Sequence, residues 1–353
     1  MKKEQENNKG IKEIAKLAKV SIGTVDRVIN NRTGVSPKTK ERILEIIAEL
    51  DYQPNIMARM LASKKVIKIA ALIPAVSNET GYWNAPLKGI NEAASEIKNF
   101  GVSVDLYFFD QNSKQTFIDQ AALILRNGYD GVLMAPMFEN EAIDFLAQCR
   151  ENNLPFVLIN SDLENQSQVA YVGPDLFQSG YLAAHLTKYL LQAEQTVLIV
   201  NISREIDLHH HLLKKEEGFK NYFHTHRNSI HIEKVDIKET DYQSVQKNLR
   251  ELFLSKRPDL VFVTNSRVSS VARFFQETNI EGVKLIGYDF LEENINYLKN
   301  GTIDFLICQK PQEQGYKGLM SIYQHLLNSS LVEQLQYMPI DIITKENYSY
   351  YRN

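Results

Sequence analysis

The sequence predicts an α/β protein in two parts: a small all-α helix-turn-helix head, then a two-lobed body of doubly wound parallel sheets. Three observations predict it. Amphipathic helical patterns crowd the stretch from Ile11 to Leu50; from Val66 onward short apolar runs alternate with helical stretches; and that alternation restarts once, after Asp175. The length of 353 residues exceeds one ordinary domain of about 100–200 residues, and 44% hydrophobic content supplies a large core.

In the head, Ile14, Leu17 and Ala18 follow Ile11 at three- and four-residue steps, with Lys12, Lys16 and Lys19 on the other face. This is the period of a short helix that buries one stripe. Ser21 stands where a second helix needs its N-cap, and Val25, Val28 and Ile29 give that helix its apolar face. Only Ala18, Lys19 and Val20 separate the two, which forces a steep crossing and makes a helix-turn-helix. The second helix of such a unit lays its first residues along base edges in the major groove. Ile22, Gly23, Thr24 and Arg27, with Asn30 at the end, are the candidate DNA contacts. Asn30 to Gly34 make a turn, Ser36 caps a third helix that has Pro37 at its first position, and Ile43, Leu44, Ile46, Ile47 and Leu50 close the small core.

Charge follows the same division. Through Lys68 there are fifteen Lys and Arg against eight Asp and Glu, net +7, whereas the remainder carries 25 against 35, so the overall −3 conceals a basic head. Confined positive charge suits phosphate contact with counterion release.

In the body the strand candidates are VIKIAALIP, VSVDLYFF, DGVLMAP and LPFVLIN, each followed by a helical stretch; after QVAYVGPD come TVLIVNIS, HIEKVDI, PDLVFVTNS and VKLIGYDF. Two last candidates, DFLICQKP and PIDIIT, flank a helix carrying Gly315, Leu319 and Tyr323. Strand and helix in strict alternation argue for parallel sheets with right-handed crossovers, and two similar units imply a cleft between them. Open α/β sheets bind ligands at the carboxyl ends of their strands. The candidates there are Asn160 and Asp162, Asn201 and Arg204, Asn265 and Arg267, Asp289, and Gln309. Amides, carboxylates and arginines in a ring suit the vicinal hydroxyls of a sugar. Trp83, the only tryptophan, sits in GYWNAP after the first strand, where it would stack on the apolar face of a sugar ring.

IKEIAKLAKVSIGTVDRVINN, GVSPKTKERI and YQPNIMARML, in this order and spacing, resemble the headpiece and hinge of the LacI/GalR family of bacterial transcription regulators. The resemblance implies a hinge helix that forms on operator DNA, with Asn55, Ala58, Arg59 and Leu61 as hinge contacts and Leu61 as the wedge between base pairs, and a homodimer on the operator. The body from Val66 to about Asp341 is similar to the family's type I periplasmic-binding-protein-like core, on VAYVGPD with Gly180, EGF at Glu217–Phe219, VTN at Val263–Asn265, GYD at Gly287–Asp289 and ICQKP at Ile307–Pro311. The resemblance makes Asn265, Asp289 and Gln309 ligand contacts and the ligand a sugar. It implies a headpiece over 1–52, a hinge over 53–65 and a ligand-binding and dimerisation domain over 66–353, with one lobe of about 66–171 and 291–320 and the other of about 172–290 and 321–353.

Four positions depart from the family pattern. Gly23 and Asp26 stand where base-reading or serine side chains are usual, Lys215 replaces an arginine, and Ser266 with Arg267 replaces an acidic residue. With Arg204, Lys215 and Arg267 near the pocket, an acidic sugar or a sugar phosphate becomes the alternative to a neutral one, and a nucleoside or other small metabolite is the alternative to sugars.

An enzyme is not expected. No GxSxG, Walker A, GxGxxG or HExxH spacing occurs, and His209, His210 and His211 in a row cannot converge on one metal. No cofactor is expected. Met1 to Lys9 is polar, with no signal-like apolar segment behind it, and later apolar runs are too short for a bilayer, so neither export nor membrane contact is expected. That also counts against a transport binding protein, which would need an export signal and no DNA-reading head. Cys149 and Cys308, both in apolar settings, are expected as reduced core residues of a cytoplasmic protein.

Overall fold

A computed structural model describes residues 10–29, 33–50, 52, 66–77, 81–192, 194–204, 210–226, 229–328 and 332–353. The chain separates into two compact units, Met1–Lys65 and Val66–Asn353.

In the first unit, α1 (Ile11–Ala18) ends where Lys19 adopts a left-handed conformation, φ 53°, and α2 (Ile22–Ile29) begins three residues later. Ser21 caps α2: its Oγ accepts from the Thr24 N–H at 3.1 Å and lies 2.9 Å from the Thr24 hydroxyl. Ser36 caps α3 (Pro37–Glu49) in the same way through Thr39. Ile14, Ala18, Val25, Val28 and Ile43 form the core. Leu17 and Leu44, expected inside, are 47% and 46% exposed. At 3.6 residues per turn each lies roughly 100° around its helix from the middle of the buried face, too far for its side chain to reach the core.

The second unit holds two six-stranded sheets. The first has strands β1 (Ile67–Pro74), β2 (Val102–Phe109), β3 (Gly131–Met134), β4 (Phe156–Ile159), β5 (Ala170–Gly173) and β11 (Leu335–Tyr337), all parallel, in the order β11-β5-β4-β3-β1-β2. The second has β6 (Thr196–Ile202), β7 (His231–Ile237), β8 (Leu260–Val263), β9 (Lys284–Tyr288), β10 (Phe305–Cys308) and β12 (Asp341–Ile343), in the order β12-β10-β9-β8-β6-β7, with β12 antiparallel to β10. Helices α4 (Asn84–Ile97), α5 (Lys114–Asn127) and α6 (Glu139–Glu151) follow β1, β2 and β3; α7 (Leu176–Leu190) follows β5; and α8 (His210–Thr225), α9 (Tyr242–Ser255), α10 (Val268–Glu277) and α11 (Glu292–Lys299) connect the second sheet. α12 (Pro311–Leu327) packs on α4 and on the first sheet. Central strands such as β1 and β6 are apolar almost throughout because both faces are covered.

The lobe boundaries differ from the expected ones. β10 pairs with β9, which keeps 291–308 in the second lobe, and α12 with β11 keeps 311–337 in the first. The chain therefore crosses between lobes after β5, after β10 and between β11 and β12. A strand's apolar pattern records burial but not the sheet it joins, and that is what misplaced the crossings.

Helix packing explains the glycines of the body. A Cβ on Gly180 would lie 1.8 Å from the Lys215 carbonyl oxygen and one on Gly218 1.9 Å from that of Phe177, so α7 and α8 cross backbone against backbone. Gly89 and Gly315 do the same for α4 and α12.

Candidate functional site

On the head, α2 carries the predicted contacts. Ile22, at its first turn, is 45% exposed, and Gly23 and Arg27 are exposed beside it. Thr24 is half-buried, its hydroxyl beside Ser21. A Cβ on Gly23 would meet nothing closer than Ser21 Oγ at 3.7 Å, so packing does not require glycine there. Gly23→Ala should stabilise the head by about 1 kcal/mol, the helix-propensity difference, read as a rise in its melting temperature; a fall would reveal a contact that needs glycine. Asn30, Asn55, Ala58, Arg59 and Leu61 lie outside the described residues.

The cleft lies between the carboxyl ends of the two sheets. It encloses about 670 Å³ counted out to its mouth. The first lobe lines it with Tyr82, Trp83, Gln111, Asn112, Met137 and Asn160, and the second with Lys215, Asn265, Arg267, Asp289 and Gln309, together with Leu176, Ile202, Ser203, His211 and Ser266.

Trp83 caps α4 and is 3% exposed, edge-to-face with Tyr82 at 5.2 Å between centroids. Asn160, just past β4, adopts φ 69° and accepts the Tyr82 hydroxyl at 2.7 Å, a bond that joins two loops of the first lobe across the cleft floor.

Asp289, just past β9, is also left-handed, φ 76°, a conformation uncommon for a residue with a side chain and concentrated at functional sites. Asn294, fully buried on α11, holds that bend: its amide donates to the carbonyls of Tyr288 and Asp289 at 3.0 Å and of Ser266 at 3.1 Å. Burial pushes the Asp289 carboxyl up to about 6, against the pull of Lys215. Lys215, on α8, donates from Nζ to the Thr264 carbonyl at 3.2 Å and sits 3.7 Å above the Tyr288 ring. Burial lowers it to about 8, which Asp289 opposes. Gln309 donates to Ser179 Oγ at 2.8 Å and Asn265 to the Ile202 carbonyl at 2.7 Å, so both enter the cleft on fixed side chains.

Three predicted residues are elsewhere. The Asp162 carboxylate accepts from the Leu163 N–H and from Gln168, which ties it into its own loop, and Arg204 is exposed outside the cavity lining. Asn201 is fully buried and donates to Glu216 and Asp236. Among the described residues no group of three or more His, Cys, Asp or Glu could hold a metal, and no helix is long and apolar enough to cross a membrane.

Residues 69–330 match the periplasmic binding protein domain, and residues 10–55 match bacterial regulatory proteins of the lacI family. The chain is similar to ExuR of Bacillus subtilis (strain 168), described as an HTH-type transcriptional repressor, at 32% identity over 44% of each chain. It is similar to catabolite control protein A of Priestia megaterium at 27% identity over 80% of this chain and 82% of that one. Among solved structures, a proposed LacI transcriptional regulator from Bacteroides fragilis matches with TM-score 0.73 at 28% identity, over 82% of this chain and 100% of that one. The glucose-galactose binding protein GanP from Geobacillus stearothermophilus matches in fold, with TM-score 0.72 at 22% identity over 80% and 99% of the two chains.

Proposed function

This chain belongs to the LacI family of bacterial regulatory proteins, and we propose that it is a transcriptional repressor of carbohydrate-metabolism genes whose hold on operator DNA is set by a sugar in the interlobe cleft. The family is one of DNA-binding regulators, not enzymes. The observation that carries the reading is the pairing, on one chain, of an exposed recognition helix with a cleft lined by both a buried carboxylate, Asp289, and Trp83. A carboxylate accepts hydroxyl hydrogens and an aromatic ring covers the apolar face of a sugar. Two copies grip a near-palindromic operator, one recognition helix in each half-site, and the hinge residues Asn55, Ala58, Arg59 and Leu61 contact its centre. Ligand biases the relative orientation of the lobes through the three crossings and so biases the hinge; ligand and operator are then coupled reciprocally.

The test is operator selection on the full chain, followed by binding to the selected DNA with and without neutral sugars, uronates, sugar phosphates and nucleosides. Sequence-specific binding that one of the sugars changes supports the proposal. Binding indifferent to every sugar, or changed by nucleosides alone, removes the sugar.

The recognition helix adds a sharper expectation. Its first turn presents Ile22 as the apolar contact and nothing from Gly23, so that contact reads a thymine methyl. Replacing that thymine by uracil, which removes only the methyl, should weaken binding roughly fivefold, about 1 kcal/mol. Ile22→Ala should abolish the difference. Equal binding of thymine and uracil operators by the unsubstituted chain would remove Ile22 from base reading.

A further inference from the structure

We infer that the ligand of the cleft carries a carboxylate, as a sugar acid does, and that Lys215 is the residue that selects it; this rests on the sugar-sensing reading above. Lys215 is 4% exposed and lines the cavity. Its ammonium makes one hydrogen bond, to the Thr264 carbonyl, and faces the Tyr288 ring. Among the described residues it makes no ion pair; Asp289, which lines the same cavity, acts on it electrostatically without a direct contact. An ammonium has three N–H donors, so donors remain for the cavity.

A buried charge without a paired countercharge is costly, and such charges persist where they are paired or bound to a ligand. A side chain of similar length without charge, such as methionine, would fill the space without that cost. The lysine is also held in place. Gly180 leaves no room between α7 and the Lys215 backbone, which blocks any shift of α8 toward α7. A neutral sugar could satisfy Asp289 with its hydroxyls, but a hydroxyl on Lys215 meets a donor and leaves the charge unbalanced. A carboxylate meets both, through a charge-assisted hydrogen bond. The charge of the lining points the same way. Arg267 lines the cavity with Lys215, whereas Asp162, the other candidate carboxylate, is turned into its own loop.

The test compares matched ligands on the full chain by calorimetry and by Trp83 fluorescence: glucose with glucuronate and glucose 6-phosphate, and galactose with galacturonate and galactose 6-phosphate. At least one uronate should bind about tenfold or more tightly than its neutral parent. Lys215→Met should bring that ratio to near one, and Lys215→Arg, which keeps the charge, should retain the preference. A neutral parent that binds as tightly as its uronate overturns the inference, as does a preference that survives Lys215→Met, and a phosphate ester favoured over the uronate overturns the carboxylate. If Lys215→Met fails to fold, the ratio in the unsubstituted chain and in Lys215→Arg still decides. Should no sugar of any charge bind, the sugar-sensing reading itself fails, a result distinct from binding without charge preference.

Discussion

Asp289→Asn is expected to weaken the response to ligand about a hundredfold or more while leaving a folded chain that binds operator. The carboxylate is 7% exposed at the floor of the cleft, and its backbone N–H is tied to the Ile307 carbonyl at 3.0 Å, so the change removes charge without removing the bend that presents it. Hydrogen bonds to a charged group contribute about 1.5–3 kcal/mol each, so two lost sugar contacts weaken ligand binding by roughly two orders of magnitude or more. The sign with pH follows from the two buried groups. Ionised Asp289 accepts hydroxyl hydrogens in charge-assisted bonds that the neutral acid cannot match, and with its pKa raised to about 6 a proton competes with ligand below that pH. Affinity should fall toward tenfold per unit on the acid side. Lys215, lowered to about 8, loses its positive charge above that pH, so binding of an anionic ligand should fall on the alkaline side as well. Affinity is therefore greatest between about 6 and 8. Asp289→Asn should remove the acid limb and keep the alkaline one, and Lys215→Met the reverse. Calorimetric titrations across that range check this, and a flat profile in the unsubstituted chain would exclude both groups from ligand contact.

The residues that line the cleft were legible in the sequence only where a strand end alone decides the outcome. Asn265, Asp289 and Gln309 each follow an apolar run, and the sheet delivers them to the cavity. Asp162 and Arg204 follow equally good runs but stand three residues past β4 and two past β6, far enough for a loop to turn the side chain elsewhere. Gln111, two residues past β2, shows that the same distance can also lead inward. The turn chemistry of each loop decides, and spacing does not contain it. Asn294 was silent for another reason: a buried polar residue on a helix has no periodic signature, and its work, bonding three carbonyls around the Asp289 bend, exists only once β9 and α11 are in place. In the fold, the long apolar runs gave their strands correctly. β11, three residues with alternating exposure, had no pattern to see.

The Gly180 and Gly218 crossing is where the same residue type carries the largest expected cost. At Gly23 a methyl enters open space and only helix propensity changes; at Gly180 it would meet the Lys215 carbonyl at 1.8 Å, and at Gly218 the Phe177 carbonyl at 1.9 Å. Neither neighbour is the far end of a flexible side chain, so α7 and α8 must separate along their contact. Forced overpacking costs about 1–3 kcal/mol, and a rigid backbone contact lies at the upper end or beyond it. Gly180→Ala and Gly218→Ala should each lower the melting temperature of the body by several degrees and weaken ligand binding, because α8 moves Lys215 as it moves. The two are reciprocal contacts of one crossing. Once the helices have separated to admit the first methyl, the second finds part of its room already made, so the double variant should lose less than the sum of the single losses, with a coupling of about 1 kcal/mol in a double-mutant cycle. Strict additivity would mean that each site relaxes locally and that the helices do not move as rigid bodies. In that case ligand affinity should be unchanged in both variants, since Lys215 would keep its place.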